Sequence, residues 1–311
     1  MHYPNVLVLV GPTASGKTEV SLHLAALLRA EILSADSRQV YRFLDIGTAK
    51  PTAEERQRVV HHFIDERDPD EPFSAGEFGS LGRERIRQIL SRAHTPLVVG
   101  GSGLYIRSLI DGLFEGPGPH HRLRAVLEDR ARTGGIAGLL EELRTVDPEA
   151  ARGATAATPR RIIRALEVYH ATGVPLSTHQ RQAKPAIEFT PVLFGLQWER
   201  AELHRRIALR CASMVGGGLL EESERLEAMG YDPSCNALNT VGYVEMTAYR
   251  RGQVSWNEAL ERFERNTRRY AKRQMTWFRA DRRIRWIPMS GACDPAWVAQ
   301  QIAALSRDVT H

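Results

Sequence analysis

Eight residues near the start of the chain, Gly11-Pro12-Thr13-Ala14-Ser15-Gly16-Lys17-Thr18, carry the spacing G-x-x-x-x-G-K-[ST]. The glycines of this pattern let the backbone wrap an anion, so that successive N–H groups and a helix N-terminus point at it. Lys17 adds positive charge, and the Thr18 hydroxyl is of the kind that ligates magnesium beside a phosphate. A nucleotide-binding-type loop, as used for ATP, is therefore expected to hold a di- or triphosphate with Mg2+. Hydrolysis does not follow, because neither a Gly-Lys-Asp base-recognition motif nor a typical strand ending in a Walker-B aspartate is evident. Other groups suited to chemistry are Asp36, in Ser34-Ala35-Asp36-Ser37-Arg38-Gln39-Val40-Tyr41, and Ser102, in Gly100-Gly101-Ser102-Gly103-Leu104-Tyr105. Arg206 and Arg210 fall at i and i+4 and share one helical face. Taken alone, such a pair is equally a solvated face.

The elements that must position these residues alternate. Residues 5–10 are a nearly continuous apolar run, the pattern of a parallel strand buried on both faces. Val20, Leu24, Leu27 and Leu28 then recur at helical spacing, residues 31–34 read as a second strand, 78–93 as a helix, 96–99 as another strand and 104–110 as a helix. This order predicts an α/β fold with a P-loop NTPase-like parallel sheet. Ligands of such sheets sit beyond the carboxyl ends of the strands, where residues 11–18, Asp36 and Ser102 all fall. Gly and Pro cluster over residues 112–119, after which helical patterning runs to a returning strand at 191–196. The expected organisation is a catalytic core of residues 1–112 and 200–311, interrupted by a helical insertion domain over 113–199. Helices resume from 200 to 278 with breaks at 230–233 and near 252, and residues 284–287 read as a last strand.

Composition narrows the class. With 311 residues, 42% hydrophobic and 25% charged, the chain has enough apolar side chains for a good core. No apolar run approaches the roughly 20 residues needed to span a bilayer, and no signal-peptide cleavage pattern follows the first strand, so a cytoplasmic protein is expected. Cys211, Cys235 and Cys293 are too few and too scattered for a disulfide framework or a zinc site. Charge is unevenly spread. Residues 250–285 hold twelve Lys and Arg against four Asp and Glu, a net +8 within a chain whose total is +5. In the same segment Leu260, Phe263, Thr267, Tyr270, Gln274 and Trp277 recur at steps of three and four, bordered by Arg262, Arg265, Arg269, Lys272 and Arg273. A long basic helix beginning after Ser255 is predicted, suited to an RNA backbone. Tyr270, Trp277 and Phe278 are each either core or a surface on which an unstacked base can lie.

The blocks at 11–18, 34–41 and 100–105, with Leu44-Asp45-Ile46-Gly47-Thr48-Ala49-Lys50-Pro51, resemble the tRNA dimethylallyltransferase family. The likeness continues through Pro159-Arg160-Arg161-Ile162-Ile163-Arg164-Ala165-Leu166-Glu167, Val241-Gly242-Tyr243 and Ala271-Lys272-Arg273-Gln274-Met275-Thr276-Trp277-Phe278-Arg279. It implies transfer of a dimethylallyl group from its diphosphate to the exocyclic amine of the adenosine following the anticodon in tRNA. The adenine amine is a poor nucleophile, so a carboxylate that accepts its proton is chemically sensible, and the family gives that role to the position of Asp36. The resemblance further makes Thr18 and Ser102 catalytic, Ser102 aligning with a residue that contacts the adenosine. It places the diphosphate on residues 11–18, Arg206 and Arg210. RNA contacts are implied for Asp36, Ser37, Arg38, Gln39, Ser102, Arg124, Arg160, Arg161, Arg164, Gly242, Tyr243, Lys272, Arg273, Gln274, Trp277 and Arg279. Val244 departs from the pattern, since many relatives carry a basic residue there. The implied partners are tRNA and dimethylallyl diphosphate, with neither a membrane nor an obligate protein partner.

Three other functions compete. A small-molecule P-loop kinase would share the sheet, the cradle and a basic lid, but leaves the Asp36 block and the length of the basic helix unexplained. Transfer to free adenine nucleotides would need neither the helical insert nor the +8 segment. An RNA-binding module with a relict loop is opposed by intact Lys17, Thr18 and Asp36.

Overall fold

The computed structural model describes residues 3–113, 118, 120–156, 158–181 and 186–307. Of the Gly/Pro-rich stretch 112–119, Phe114, Glu115, Gly116, Pro117 and Pro119 lie outside the described residues. In chain order the molecule begins with β1 (Asn5–Val10), α1 (Lys17–Leu28), β2 (Ala30–Ala35), α2 (Ala53–Arg58), β3 (His61–His62), α3 (Ala75–Ser91), β4 (Thr95–Gly100) and α4 (Gly103–Asp111). Five helices follow: α5 (His121–Gly134), α6 (Ile136–Val146), α7 (Pro148–Arg152), α8 (Pro159–Thr172) and α9 (Leu176–Arg181). The remainder is β5 (Thr190–Trp198), α10 (Arg200–Gly216), α11 (Leu219–Ala228), α12 (Tyr243–Arg250), α13 (Trp256–Arg279), β6 (Arg285–Met289) and α14 (Pro295–Arg307).

The six strands form one parallel sheet in the order β3-β2-β4-β1-β5-β6, a P-loop NTPase-like fold. Strand alternation divides the core into two layers. Val6, Val8 and Val10 pack on one face with Phe78, Leu109, Ile207 and Phe263, while Leu7 and Leu9 pack on the other with Val20, Leu24, Val298 and Ile302. Both faces of β1 are thus covered by helices, which is why its sequence is apolar without interruption.

Two compact units result, one of residues Met1–Ile110 with Ile187–His311 and one of Asp111–Ala186. The expected insert of 113–199 is too long at its C-terminal end. Residues 190–198 are β5, which pairs with β1 from Asn5↔Thr190 to Val10↔Gly195 and belongs to the sheet. A helix break at Gly217 and Gly218, between α10 and α11, and the short elements α2 and β3 were not expected from the sequence. Among the described residues no helix is long and apolar enough to cross a membrane.

The helical unit has its own core of Leu127, Leu139, Leu143, Ile162, Ile163 and Leu166. Buried Asp147 caps α7 by accepting from Ala150 N and bonds Ser177 N in α9 through its other oxygen. Glu167, also buried, accepts from His120 N, Arg124 Nη2 and Arg164 Nη1 at 2.7, 2.7 and 3.0 Å. Arg124 and Arg164, expected among the RNA contacts, therefore neutralise an internal carboxylate, whereas Arg160 and Arg161 are exposed on α8.

A second buried carboxylate, Glu31, stands at the start of β2. It accepts a bidentate pair of bonds from Arg92 and single bonds from His62 at 2.7 Å and His94 at 2.8 Å. Burial opposes ionisation, but the bonds from Arg92, His62 and His94 outweigh it and hold the Glu31 pKa at about 2, from an ordinary 4.5. A depressed carboxylate pKa stabilises the fold above the unfolded-state value, and the contribution is lost as pH falls from about 4.5 through about 2. Chemical denaturation across that range should show this loss in the wild type and a flatter curve in Glu31→Gln. At pH 7 the variant should be less stable by about 3 kcal/mol, the size expected when one partner of a buried ion pair is removed.

Candidate functional site

Sheet register sets the site. Val10 pairs with Gly100, and Gly100 with Ala35, so Gly11, Gly101 and Asp36 leave the sheet at one level. Beyond that edge is a cavity of about 280 Å³. Its wall includes Thr13, Lys17 and Thr18 from the first loop, and Asp36, Ser37, Arg38 and Gln39 after β2. Gly47, Thr48 and Ala49, Arg210 from α10, Asn239, Thr240 and Val241, and Tyr270, Arg273 and Gln274 from α13 continue the wall. Val99, Met214 and Phe263 add apolar surface.

Lys17 is the first residue of α1, and its Nζ donates to Pro12 O at 2.8 Å. Burial, then repulsion from Arg210, lower its pKa to about 7 against the opposing attraction of Asp36. Three side chains brace the loop from outside. Trp198 Nε1 donates to Ser15 O at 2.9 Å, and Arg206 Nε donates to Ala14 O at 2.8 Å with its guanidinium 4.3 Å over the Trp198 ring. Gln274 accepts from Thr13 N and donates to Gly101 O, both at 2.9 Å, tying the loop to the turn after β4. Arg206 and Arg210 share a helical face as expected, but only Arg210 lines the cavity; Arg206 holds the Ala14 carbonyl behind the loop. The side-chain oxygens of the loop that line the cavity are the hydroxyls of Thr13 and Thr18. That sparse protein donor set suits Mg2+, which takes most of its ligands from phosphate and water, rather than an all-protein metal cage.

Across the cavity Asp36 accepts from Arg38 N through Oδ1 at 2.9 Å, a turn that fixes the carboxylate on the cavity wall. Gln39, expected as an RNA contact, spends its amide on Ser34, Thr48 and Ala49. Ser102 lies in the turn after β4, where its N–H donates to Ala35 O at 3.1 Å beside Asp36, and does not line the cavity itself. Burial and then the Asp36 charge push the Tyr270 phenol above its usual range.

On α13 the predicted seam holds at Phe263, Thr267 and Gln274, whereas Leu260, Tyr270 and Trp277 lie to one side of it. The buried positions are Ala259, Phe263, Thr267, Ala271, Gln274 and Phe278, so Phe278 is core, Tyr270 edges the cavity and Trp277 is 37% exposed. Arg262 and Arg268 pair with Glu258 and Glu264 on the same helix. Arg265, Arg269, Lys272, Arg273 and Arg279 are exposed, with no acidic partner among the described residues. Tyr243, expected with Gly242 among the RNA contacts, is 1% exposed and bonds Glu222, while Gly242 is the backbone cap of α12. The sequence carried no signal for Glu222, one glutamate among several on α11, or for the bracing role of Trp198, because both depend on partners more than twenty residues away.

A family model described as IPP transferase matches residues 39–281. The tRNA dimethylallyltransferase of Desulforudis audaxviator is 45% identical over 299 residues, covering 96% of each chain. Among solved structures, the tRNA isopentenylpyrophosphate transferase of Bacillus halodurans aligns with TM-score 0.70 at 38% identity over 96% of each chain. A eukaryotic dimethylallyltransferase described as acting on tRNA aligns with TM-score 0.80 at 25% identity, over 98% of this chain and 79% of that one.

Near-neutral Lys17 makes binding of an anion a proton-linked event. A base whose pKa is about 7 is mostly uncharged at pH 8, and a diphosphate beside it restores the charged form. Calorimetry of inorganic pyrophosphate binding at pH 8, in buffers of different ionisation enthalpy, should report a proton uptake in the wild type in excess of that in Lys17→Met, the variant subtracting the protons that pyrophosphate itself exchanges. That excess should shrink at pH 6, and Lys17→Met should bind weakly at both.

Proposed function

Because the chain belongs to the IPP transferase family and is an enzyme that prenylates tRNA, we propose that its donor is dimethylallyl diphosphate and that Asp36 receives the proton of the adenine amine. The acceptor is the adenosine following the anticodon. The observation that carries this reading is a single cavity with the anion cradle of Lys17, Thr18 and Arg210 and the Asp36 carboxylate on its wall. The amine nitrogen bonds to C1 of the dimethylallyl group as the C1–O bond breaks. Its proton passes to Asp36 Oδ2, and the electron pair of the broken bond leaves with diphosphate. Charge building on that leaving group meets Lys17, Arg210 and the loop N–H groups, fixed in place before reaction by Trp198, Arg206 and Gln274. Magnesium held by the Thr18 hydroxyl would add charge compensation on the diphosphate oxygens. Met214, Phe263, Val99 and Val241 give the five-carbon group an apolar wall. The exposed cations of α13 and Arg160 and Arg161 of the helical unit are the groups proposed to meet tRNA phosphates.

Incubation with dimethylallyl diphosphate or ATP, and either tRNA or free AMP, tests the assignment directly. Modified adenosine should form in tRNA alone, with no steady ATP hydrolysis. Asp36→Asn keeps the size and one acceptor but loses basicity, so single-turnover transfer should fall by about 10² to 10⁴ while the Kd for tRNA and for the donor change far less. Diphosphate binding that is lost in this variant and restored by extra magnesium would make the carboxylate a metal ligand instead.

For the RNA surface, tRNA affinity should fall with salt at a log–log slope of roughly −0.7 to −0.9 per phosphate contacted. Arg269→Ala with Arg273→Ala should flatten that slope by about two contacts. A slope unchanged by the pair would move the RNA off α13.

A further inference from the structure

Three consecutive backbone N–H groups point at one carboxylate. Glu222 Oε2 accepts from Asp45 N at 3.0 Å and Ile46 N at 2.9 Å, and Oε1 accepts from Gly47 N at 3.0 Å and from the Tyr243 hydroxyl at 2.6 Å. Convergent N–H groups of this kind form an anion-binding concavity. Here it is filled by a side chain of α11 that is 1% exposed. A Cβ on Gly47 would stand 2.5 Å from Tyr243 Cε2, so the tyrosine ring occupies the place of a side chain and glycine is required for this approach. Burial, then the Glu222 charge, hold the Tyr243 phenol well above its usual pKa, so it remains a donor to the carboxylate.

The clamped segment leads into the cavity wall. Gly47, Thr48 and Ala49 line it, and Gln39 Nε2 donates to Thr48 O at 3.2 Å and Ala49 O at 3.1 Å while its Oε1 accepts from Ser34 Oγ. Gln39 lies three residues beyond Asp36, on the same turn. A continuous run of bonds thus joins Glu222, through residues 45–49 and Gln39, to the segment that carries Asp36. The anion cradle is braced by other side chains, Trp198, Arg206 and Gln274.

We propose that Glu222 and Tyr243 are positioning residues for transfer: they fix the 45–49 loop against the Asp36 turn and so place the carboxylate for the adenine amine, without touching the diphosphate. This rests on Asp36 acting as the proton acceptor. Tyr243→Phe removes one bond and keeps the ring beneath Gly47; Glu222→Gln replaces an acceptor oxygen by a donor facing N–H groups. Single-turnover transfer to tRNA should fall roughly 10-fold in Tyr243→Phe and further in Glu222→Gln, with the pyrophosphate Kd staying within about twofold of wild type. In an Asp36→Asn background, Tyr243→Phe should slow transfer by less than about twofold, because the two residues act through one placement. Amide exchange at Asp45, Ile46 and Gly47 should accelerate in both variants while protection in β1 is kept.

Equal slowing in both backgrounds would make the clamp independent of Asp36 and overturn the proposal. So would loss of pyrophosphate binding in step with rate, or unchanged exchange at residues 45–47. Should Glu222→Gln fail to fold, Tyr243→Phe carries the same three measurements. Failure of the underlying reading is distinct: Asp36→Asn would itself transfer at the wild-type rate, whereas exchange at residues 45–47 would still report the clamp.

Discussion

Parallel pairing of β1 with β4, and of β4 with β2, is the constraint on which the site depends. Because Val10, Gly100 and Ala35 are in register, three loops leave the sheet side by side at its carboxyl edge. One is the anion loop, one is the turn with Ser102, and one carries Asp36. Parallel strands also force each connection to cross back over a face of the sheet, which supplies the helices that bury both faces. The candidate site therefore sits at an edge whose geometry is set by backbone hydrogen bonds, not by the loops themselves.

Loops at such an edge still need to be held, and this protein holds them with polar side chains from distant parts of the chain. Gln274 joins the anion loop to the turn after β4, Trp198 and Arg206 take two of the loop's carbonyls, and Glu222 takes three N–H groups of the 45–47 segment. Buried polar groups cost free energy unless paired, so each brace is specific to one arrangement. Preorganisation of this kind lets charge be stabilised without reorganisation during reaction. Lys17 shows the electrostatic side of the same design. Burial and Arg210 hold its pKa at about 7, against the attraction of Asp36.

Many arginines in the chain are structural. Arg92 neutralises Glu31, Arg124 and Arg164 neutralise Glu167, and Arg206 stacks on Trp198. Among the described residues, α13 carries five exposed cations without an acidic partner, Arg265, Arg269, Lys272, Arg273 and Arg279, clear of the Arg262 and Arg268 ion pairs. The net +8 of that segment includes the paired Arg262 and Arg268, so the charge the helix exposes is carried by the unpaired subset.

Short-range pattern determined much of this protein from sequence alone. The apolar run of β1, the G-x-x-x-x-G-K-T spacing at the start of α1, the basic helical run after Ser255 and the alternation of strands with helices are local features, so the parallel core, the cradle and the basic helix were legible in the residues themselves. Burial of α13 was legible only in outline. Its true seam through Ala271 and Phe278 is set by what the helix packs against, and the expected insert runs past the returning strand to 199, whereas pairing with β1 makes that strand part of the sheet. Tertiary structure alone decided that Arg206 braces while Arg210 lines the cavity, that Tyr243 is an internal donor and that Gln274 ties two loops together. Each of those assignments depends on a hydrogen bond or a cavity wall between residues far apart in sequence, and no local periodicity encodes such a meeting.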